Sequence, residues 1–510
     1  MRKYAVLLAV FALLGSQPIW ATDTGSSATD SLAHEQSLIN QANEKLQSKD
    51  WRGAQALLKQ ISEDDGFSLL DDETQHSVFH FLASTAYQNK DDETARQAIR
   101  RACSYAQAAG GDWRLRFSIA ARRHDDDDSV TSFTTLAEKW PAELADFYDQ
   151  TIFFVSHKAT TLPAGKERQA KLLRALFAIQ WKPTDDASDG ADYLWLDLIR
   201  FDLKWGDQTQ IAKLAAVITN PNVITTMRIE KQFDAITTAD PARFDLANAY
   251  VQALARAQAR MSAHPELLDA VYDVANYFVR MDRPSEALAL LDEALARIRR
   301  AGTGKPPFSD VEDKLNWIYD IRARALLSLD RVDEGVAQFA QAARLSEHGT
   351  PNVSQTINLA DAYYLLGRPK DTLAALADFK GNTSPFGQMQ FEEARACAYA
   401  QLNDAENLTK SMAYIDAHTA DAPGVKLDVS ICAGDLDGAA KTAITQLGDP
   451  ELVSPTLLSL QIYAKPHLVH ESAFKRTLDA RWDALRARTD VLAAVANVGR
   501  IEHLPVVDEE

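Results

Sequence analysis

The sequence predicts an all-α protein, a solenoid of stacked antiparallel helix pairs. Three observations predict it. Small residues recur at fixed intervals of twelve and seven, with bulky apolar residues between them. Runs with the two-residue period of a strand are scarce. The 510 residues exceed what one core of ordinary size needs, so the architecture divides into domains or grows by stacking. A hydrophobic content of 46% excludes a mainly disordered chain.

The clearest copy of the pattern is "ANYFVRMDRPSEALALLDEALARI", Ala275 to Ile298. Ala275 is followed after twelve residues by Ala287 and after seven more by Ala294, with Phe278 and Leu291 between them. Arg283-Pro284 marks a turn, and Glu286 opens a second helix. Two antiparallel helices need small residues where their axes approach most closely, and bulky residues on either side to fill the space. Proline fits the first helical position because the missing N–H has no partner there. An acid just inside the start favours the helix dipole.

The N-terminus reads as a secretory signal peptide, residues 1–21. Arg2 and Lys3 precede the apolar run "YAVLLAVFALL", and "GSQPIWA" supplies Pro18 and the small Ala21 before the expected cut. The run is too short for a comfortable membrane span. Residues 22–30 are a polar leader. Residues 31–141 carry the first set of helix pairs. Ala42 and Ala54 keep the first interval, with Leu58 and Ile61 following; Ala83, Ala95 and Ala102 keep both, with Ile99 as bulky partner. "HDDDDS", His124 to Ser129, reads as a solvated inter-helix turn. "LAEKWP" ends a helix before Pro141.

Residues 142–262 are helical by pattern without the clean grid. They contain a hairpin, Leu194 to Ile218, turning at Gly206-Asp207, and one long helix from Pro241 to Met261. Residues 263–447 resume the grid: Ala323, Gly335 and Ala342 with Leu326 and Phe339, then a looser Ala360, Thr372 and Phe379. Weaker echoes follow from Ala398 to Ile415 and from Cys432 to Ile444. Residues 448–510 read as capping helices and a loose acidic tail. The spacings from Ala42 to Ala83, Ala275 to Ala323 and Ala323 to Ala360 are 41, 48 and 37 residues, so the repeats are uneven.

These grid residues resemble the tetratricopeptide repeat (TPR) family, whose helix pairs stack into a superhelix. Over about residues 190–510, runs such as "LNWIYDIRARALLSLDR" and "DALRARTDVLAAVANVGRIEHLPV" are similar to a group of exported proteobacterial TPR proteins without an assigned activity. The resemblance implies a fold and a location, and it leaves the partner open.

Charge narrows the function. Loss of Arg2 and Lys3 with the signal peptide takes the net charge from −18 to −20. So acidic a surface does not bind nucleic acid through its overall field. No later run reaches transmembrane length. The sequence holds no GxSxG elbow, P-loop or HExxH. No cofactor is expected, and no enzyme. "HLVHE", His467 to Glu471, matches no standard zinc order. His76 and His80 share one helical face as two metal ligands would, yet no third ligand is fixed by spacing. Asp125 to Asp128 lack the spacing of a calcium loop. Of the three cysteines, Cys397 and Cys432 lie about one helix-pair period apart; they either join as a disulfide or remain, with Cys103, as buried thiols.

The remaining candidate surface is the concave wall lined by the first helix of each pair. Its outward positions include Asn43, His80 and Ser84 in the first set of repeats. In the second set they include Tyr272, Asn276, Arg280, Asp361 and Tyr364. TPR proteins that grip chaperone tails use lysines and asparagines to clamp a carboxylate; that lysine pattern is absent here. The expected partner is therefore a protein or peptide of unspecified chemistry, bound in the periplasm without catalysis. The alternatives are a glycan receptor stacking sugars on Trp195, Trp205 and Tyr364, and a metal-dependent enzyme using His76 and His80.

Overall fold

The computed structural model describes residues 26–184, 190–302, 304–347, 349–466 and 471–507. The proposed signal peptide, residues 467–470 of "HLVHE" and the last three residues lie outside them. The chain divides between Lys182 and Pro183 into two compact units. The division falls inside the segment expected to be irregular.

Unit 1 consists of helix pairs. The first are α1 (Ser26–Gln47) with α2 (Trp51–Glu63) and α3 (Asp72–Gln88) with α4 (Asp92–Ala102). The next are α5 (Gly110–Arg122) with α6 (Asp126–Lys139) and α7 (Asp149–Thr160) with α8 (Gly165–Ala178). Each helix packs on its pair partner, and the second helices α2, α4 and α6 pack on the following pair. Ala42, Ala54, Ala83, Ala95 and Ala102 are all fully buried. The α5/α6 pair eluded the grid because the sizes are exchanged: buried Phe117 stands where the other first helices carry alanine, and Ser129 lies twelve residues on.

"HDDDDS" is not a solvated turn, as its charge suggested. Asp125 caps α6 by accepting from Asp128 N at 3.1 Å. Asp126 pairs with Lys158 and Asp127 with Arg168. Asp128 is buried and accepts from Arg100 Nε at 3.2 Å and Arg116 Nη2 at 2.6 Å. A buried carboxylate needs such partners.

Unit 2 opens with α9 (Gly190–Lys204), α10 (Ile211–Val217), α11 (Pro221–Ile229), α12 (Asp234–Ala239) and α13 (Leu246–Ala263). Regular pairs follow: α14 (Leu268–Arg280) with α15 (Pro284–Ala301), and α16 (Val311–Ser328) with α17 (Val332–Arg344). Then come α18 (Val353–Leu365) with α19 (Pro369–Asp378), α20 (Pro385–Leu402) with α21 (Ala405–Ala417), and α22 (Val425–Ala433) with α23 (Leu436–Leu447). The first helices α14, α16, α18, α20 and α22 form a row, each packed on the next. Ala275, Ala287, Ala294, Ala323, Ala342 and Ala360 are buried. Gly335 is required at its place: a Cβ there would lie 2.9 Å from Leu327 Cδ2 and 3.2 Å from Ala323 O. Thr372 uses the same closeness, donating to Ala360 O at 3.1 Å.

Cys397 on α20 and Cys432 on α22 form a disulfide, their Cα atoms 5.1 Å apart and both residues buried. Cys103 stays free, and burial pushes its thiol up to about 12.

The C-terminal region departs from expectation. After α24 (Val453–Ser459) come the short strand β1 (Ile462–Ala464), α25 (Ala473–Arg486), α26 (Thr489–Val498) and a second strand, β2 (His503–Val507). The two terminal helices are as expected, the strand pair was not expected, and the acidic last three residues lie outside the described residues. β2 pairs in parallel with β1 and lies on α13 and α14, while α25 lies on α18 and α22. The tail also reaches the start of the unit. Arg500 N donates to Ile229 O at 2.9 Å, Glu230 bridges to Gly499, Arg228 pairs with Glu502, and Arg500 pairs with Asp234. The two ends of unit 2 are thus joined by its own tail. Among the described residues no helix is long and apolar enough to cross a membrane.

Candidate functional site

In unit 1 the most developed polar site lies between α3 and α5. Asp71 caps α3 by accepting from Thr74 N at 2.7 Å, and Asp72 and Glu73 fill the first turn, where negative charge suits the dipole. The helix then carries His76 and His80 one turn apart. α5 begins at Gly110, where a Cβ would meet Glu143 Cγ at 2.7 Å. Two residues on, Asp112 turns back to accept from Ala109 N at 2.8 Å.

Asp112 is buried and holds both histidines: Oδ2 lies 3.1 Å from His76 Nε2 and Oδ1 lies 2.7 Å from His80 Nδ1. Burial pushes the Asp112 carboxyl up, but the hydrogen bonds from His76, His80 and the Ala109 N–H outweigh it, holding the group below the usual carboxylate range. An ionised carboxylate only accepts, so each histidine presents an N–H to it. The second ring nitrogens, His76 Nδ1 and His80 Nε2, accept when the ring is neutral and donate when it is protonated. A carboxylate-oriented imidazole is also the arrangement of a general base, but Ser84, one turn further on α3, bonds to neither histidine. Among the described residues no group of three or more His, Cys, Asp or Glu side chains is placed to hold a metal ion. Sequence spacing brought the histidines to one face; Asp112, the residue that organises them, carried no local signal. Asn43 on α1 and Ser84 on α3 are half-buried.

In unit 2 the row of first helices is largely engaged by the chain. Arg280 is buried, donating from Nη1 to Asn222 Oδ1 at 2.9 Å and lying 5.2 Å from the Tyr250 ring. Asn276 is half-buried on the same helix. Tyr364 is buried edge-on against Phe474 of α25, their ring centres 6.4 Å apart. Tyr272 and Asp361 come together around Arg324, a residue the sequence reading missed. Burial works to lower the Arg324 pKa, but Asp320, 2.9 Å away, with Tyr272 and Asp361 beyond, outweighs it and holds the guanidinium above its ordinary value. Asn358 Nδ2 closes the cluster, donating to Asp320 Oδ2 at 2.6 Å.

The aromatic residues read as sugar platforms are scattered. Trp195 is buried in the core, as Tyr364 is against α25. Trp205 is exposed, with Lys204 Nζ 4.2 Å from its ring centre.

No family model and no curated protein matches this chain. Solved structures do. A tetratricopeptide repeat protein from Parabacteroides merdae ATCC 43184 is 10% identical over 64% of this chain and 98% of its own, with a TM-score of 0.27. The Cut9–Hcn1 hetero-tetramer of APC/C matches at 11% identity over 92% of this chain and 87% of that chain, with a TM-score of 0.29. Yeast Tom70 matches at 13% over 91% and 99%, with a TM-score of 0.26. At such identities and TM-scores the solenoid reading rests on the helix pairs of the chain itself.

Proposed function

We propose that this protein is an exported, non-enzymatic TPR-type scaffold that binds a protein or peptide partner in the bacterial periplasm, in cell-envelope assembly or transport. The observation that carries the reading is the burial of matched small residues through successive helix pairs. A stack built this way presents a row of first helices whose outward side chains make a surface. In unit 1 that row offers Asn43, Ser84 and His80, whose ring is oriented by Asp112 through Nδ1. Export is supported by the charged start and apolar run of residues 2–14 and by the Cys397–Cys432 disulfide, which persists in an oxidising compartment. The glycan reading loses two of its three aromatic residues to burial, and among the described residues no third ligand joins His76 and His80 in a group placed to hold a metal ion.

The test is capture with cross-linking from envelope extract, comparing wild type with Asn43→Arg/Ser84→Arg, which leaves His76, His80 and Asp112 intact. A partner enriched by wild type and reduced about tenfold by the variant, a loss of ~1.4 kcal/mol, supports the surface. Recovery of the same abundant proteins by both contradicts it.

A further inference from the structure

The last described strand is held as a bound peptide is held. We propose that unit 2 carries a strand-acceptor site for an extended segment of a partner protein, patterned as an acidic residue followed by apolar residues two and four positions later. The chain's own Glu502, Leu504 and Val506 fill this site in cis. The inference stands apart from the unit 1 surface proposed above.

The backbone of the segment is read first. Ile462 N on β1 donates to Glu502 O at 3.0 Å. Gln461, fully buried, clamps the preceding peptide units: its Oε1 accepts from Glu502 N at 2.7 Å and its Nε2 donates to Arg500 O at 3.1 Å. A side-chain amide used in this way recognises any extended chain, whatever its sequence. The charge is read next. Arg228 directs Nε and Nη2 at Glu502 Oε2, at 3.1 and 2.8 Å. Arg228 is itself positioned by donating from Nη1 to Phe244 O at 3.0 Å.

Shape supplies the rest. Leu504 and Val506 are buried while the alternate residues His503 and Pro505 are exposed, so one face of the strand fills the surface of α13 and α14. The ladder shifts register between Tyr463 and Ala464, opposite the stretch containing Pro505, which has no N–H to give. Main-chain pairing for affinity, with alternate side chains in pockets for selectivity, is the logic of strand addition. The acceptor groups come from parts of the chain far from the segment: Arg228 lies 274 residues from Glu502, and Gln461 lies 41. The surface is thus a composite of the folded unit, and a segment arriving from another molecule meets the same groups. Occupancy in cis lowers its apparent affinity in proportion to the time the site is filled.

The test uses the full chain and a fluorescent peptide with the sequence of residues 499–507. Glu502→Lys/Leu504→Asp weakens the chain's own strand. This double variant, with native circular dichroism, is expected to bind the peptide at least about tenfold tighter than wild type. A peptide carrying the same two changes is expected not to bind, and adding Arg228→Ala to the variant is expected to weaken binding about tenfold. Three results overturn the proposal. One is a folded variant that binds no better than wild type, or binds both peptides alike. Another is a variant that loses its fold, which makes the strand an inseparable part of the core. The last is dimerisation of the variant that the peptide competes away, which makes a second copy the occupant in place of a foreign segment.

Discussion

Asp112 and Glu35 are both buried carboxyl groups, and their surroundings push them in opposite directions. Asp112 has three donors and stays ionised. Its contribution is present above the unfolded value of about 3.9 and is lost as pH falls through the lower folded value. Replacing both His76 and His80 by alanine leaves that charge with the Ala109 N–H alone. The expected cost is about 3 kcal/mol at pH 7, read as a lower midpoint in urea unfolding. Glu35 is raised to about 7, by burial first and then by the neighbouring Asp64 carboxyl. A raised acid works against folding as pH rises: stability is full below the unfolded value of about 4.3 and declines until pH passes about 7. Glu35→Gln is therefore expected to gain about 1 to 3 kcal/mol over wild type at pH 8, with the advantage shrinking toward pH 4.5. A difference that does not change with pH contradicts that environment. Neither partnership was legible in the sequence. His76 and His80 announce a shared face by their spacing, but Asp112 reaches them from the next helix pair, and Asp64 reaches Glu35 from beyond α2.

The helix pairs themselves were legible because their signals are local. "NKDD", "LDRVDEG" and "GRPKD" each place a residue of positive φ, Lys90, Asp330 and Gly367, just before a second helix begins. Asp91, Asp404 and Asp435 then cap their helices by accepting from a backbone N–H. A left-handed conformation costs a residue with a Cβ about 1 kcal/mol relative to glycine. Lys90→Gly, in the turn between α3 and α4, is accordingly expected to raise the unfolding free energy by up to about 1 kcal/mol. What stayed illegible was the pair that exchanges sizes, with Phe117 in the alanine position. The disulfide was legible only as an alternative, because a spacing of one helix pair brings two residues near without saying that they touch. It closes a sequence separation of 35 residues. Cys397→Ala/Cys432→Ala is expected to lose about 2 to 4 kcal/mol, and reductant is expected to lower the wild-type melting temperature without changing that of the variant.

At the scale of the whole molecule, periodicity reaches its limit. It describes how each pair meets the next, and says nothing of a tail that returns to residues about 270 positions earlier. Arg228–Glu502 and Arg500–Asp234 join single charges far apart in the sequence, with no pattern to link them. Gly499 marks the closest approach: a Cβ there would lie 2.2 Å from Ile229 O, against rigid backbone. Gly499→Ala is therefore expected to part the Glu230–Gly499 bridge and speed amide exchange across residues 499–507, while α14 to α17 stay protected. Uniform exchange in the variant would show that the tail closes nothing.

The claim beneath all of this is that small residues at matched intervals let the helices nest. Ala287 and Ala289 share α15, two residues apart; the first is fully buried against its pair and the second is exposed. Substituting leucine at each and measuring the unfolding free energy of both variants separates burial at the crossing from helix propensity, because the substitution and the helix are the same. The account predicts a loss of about 1 to 3 kcal/mol or more for Ala287→Leu and a change within about 0.5 kcal/mol for Ala289→Leu. Equal effects at the two positions would contradict it.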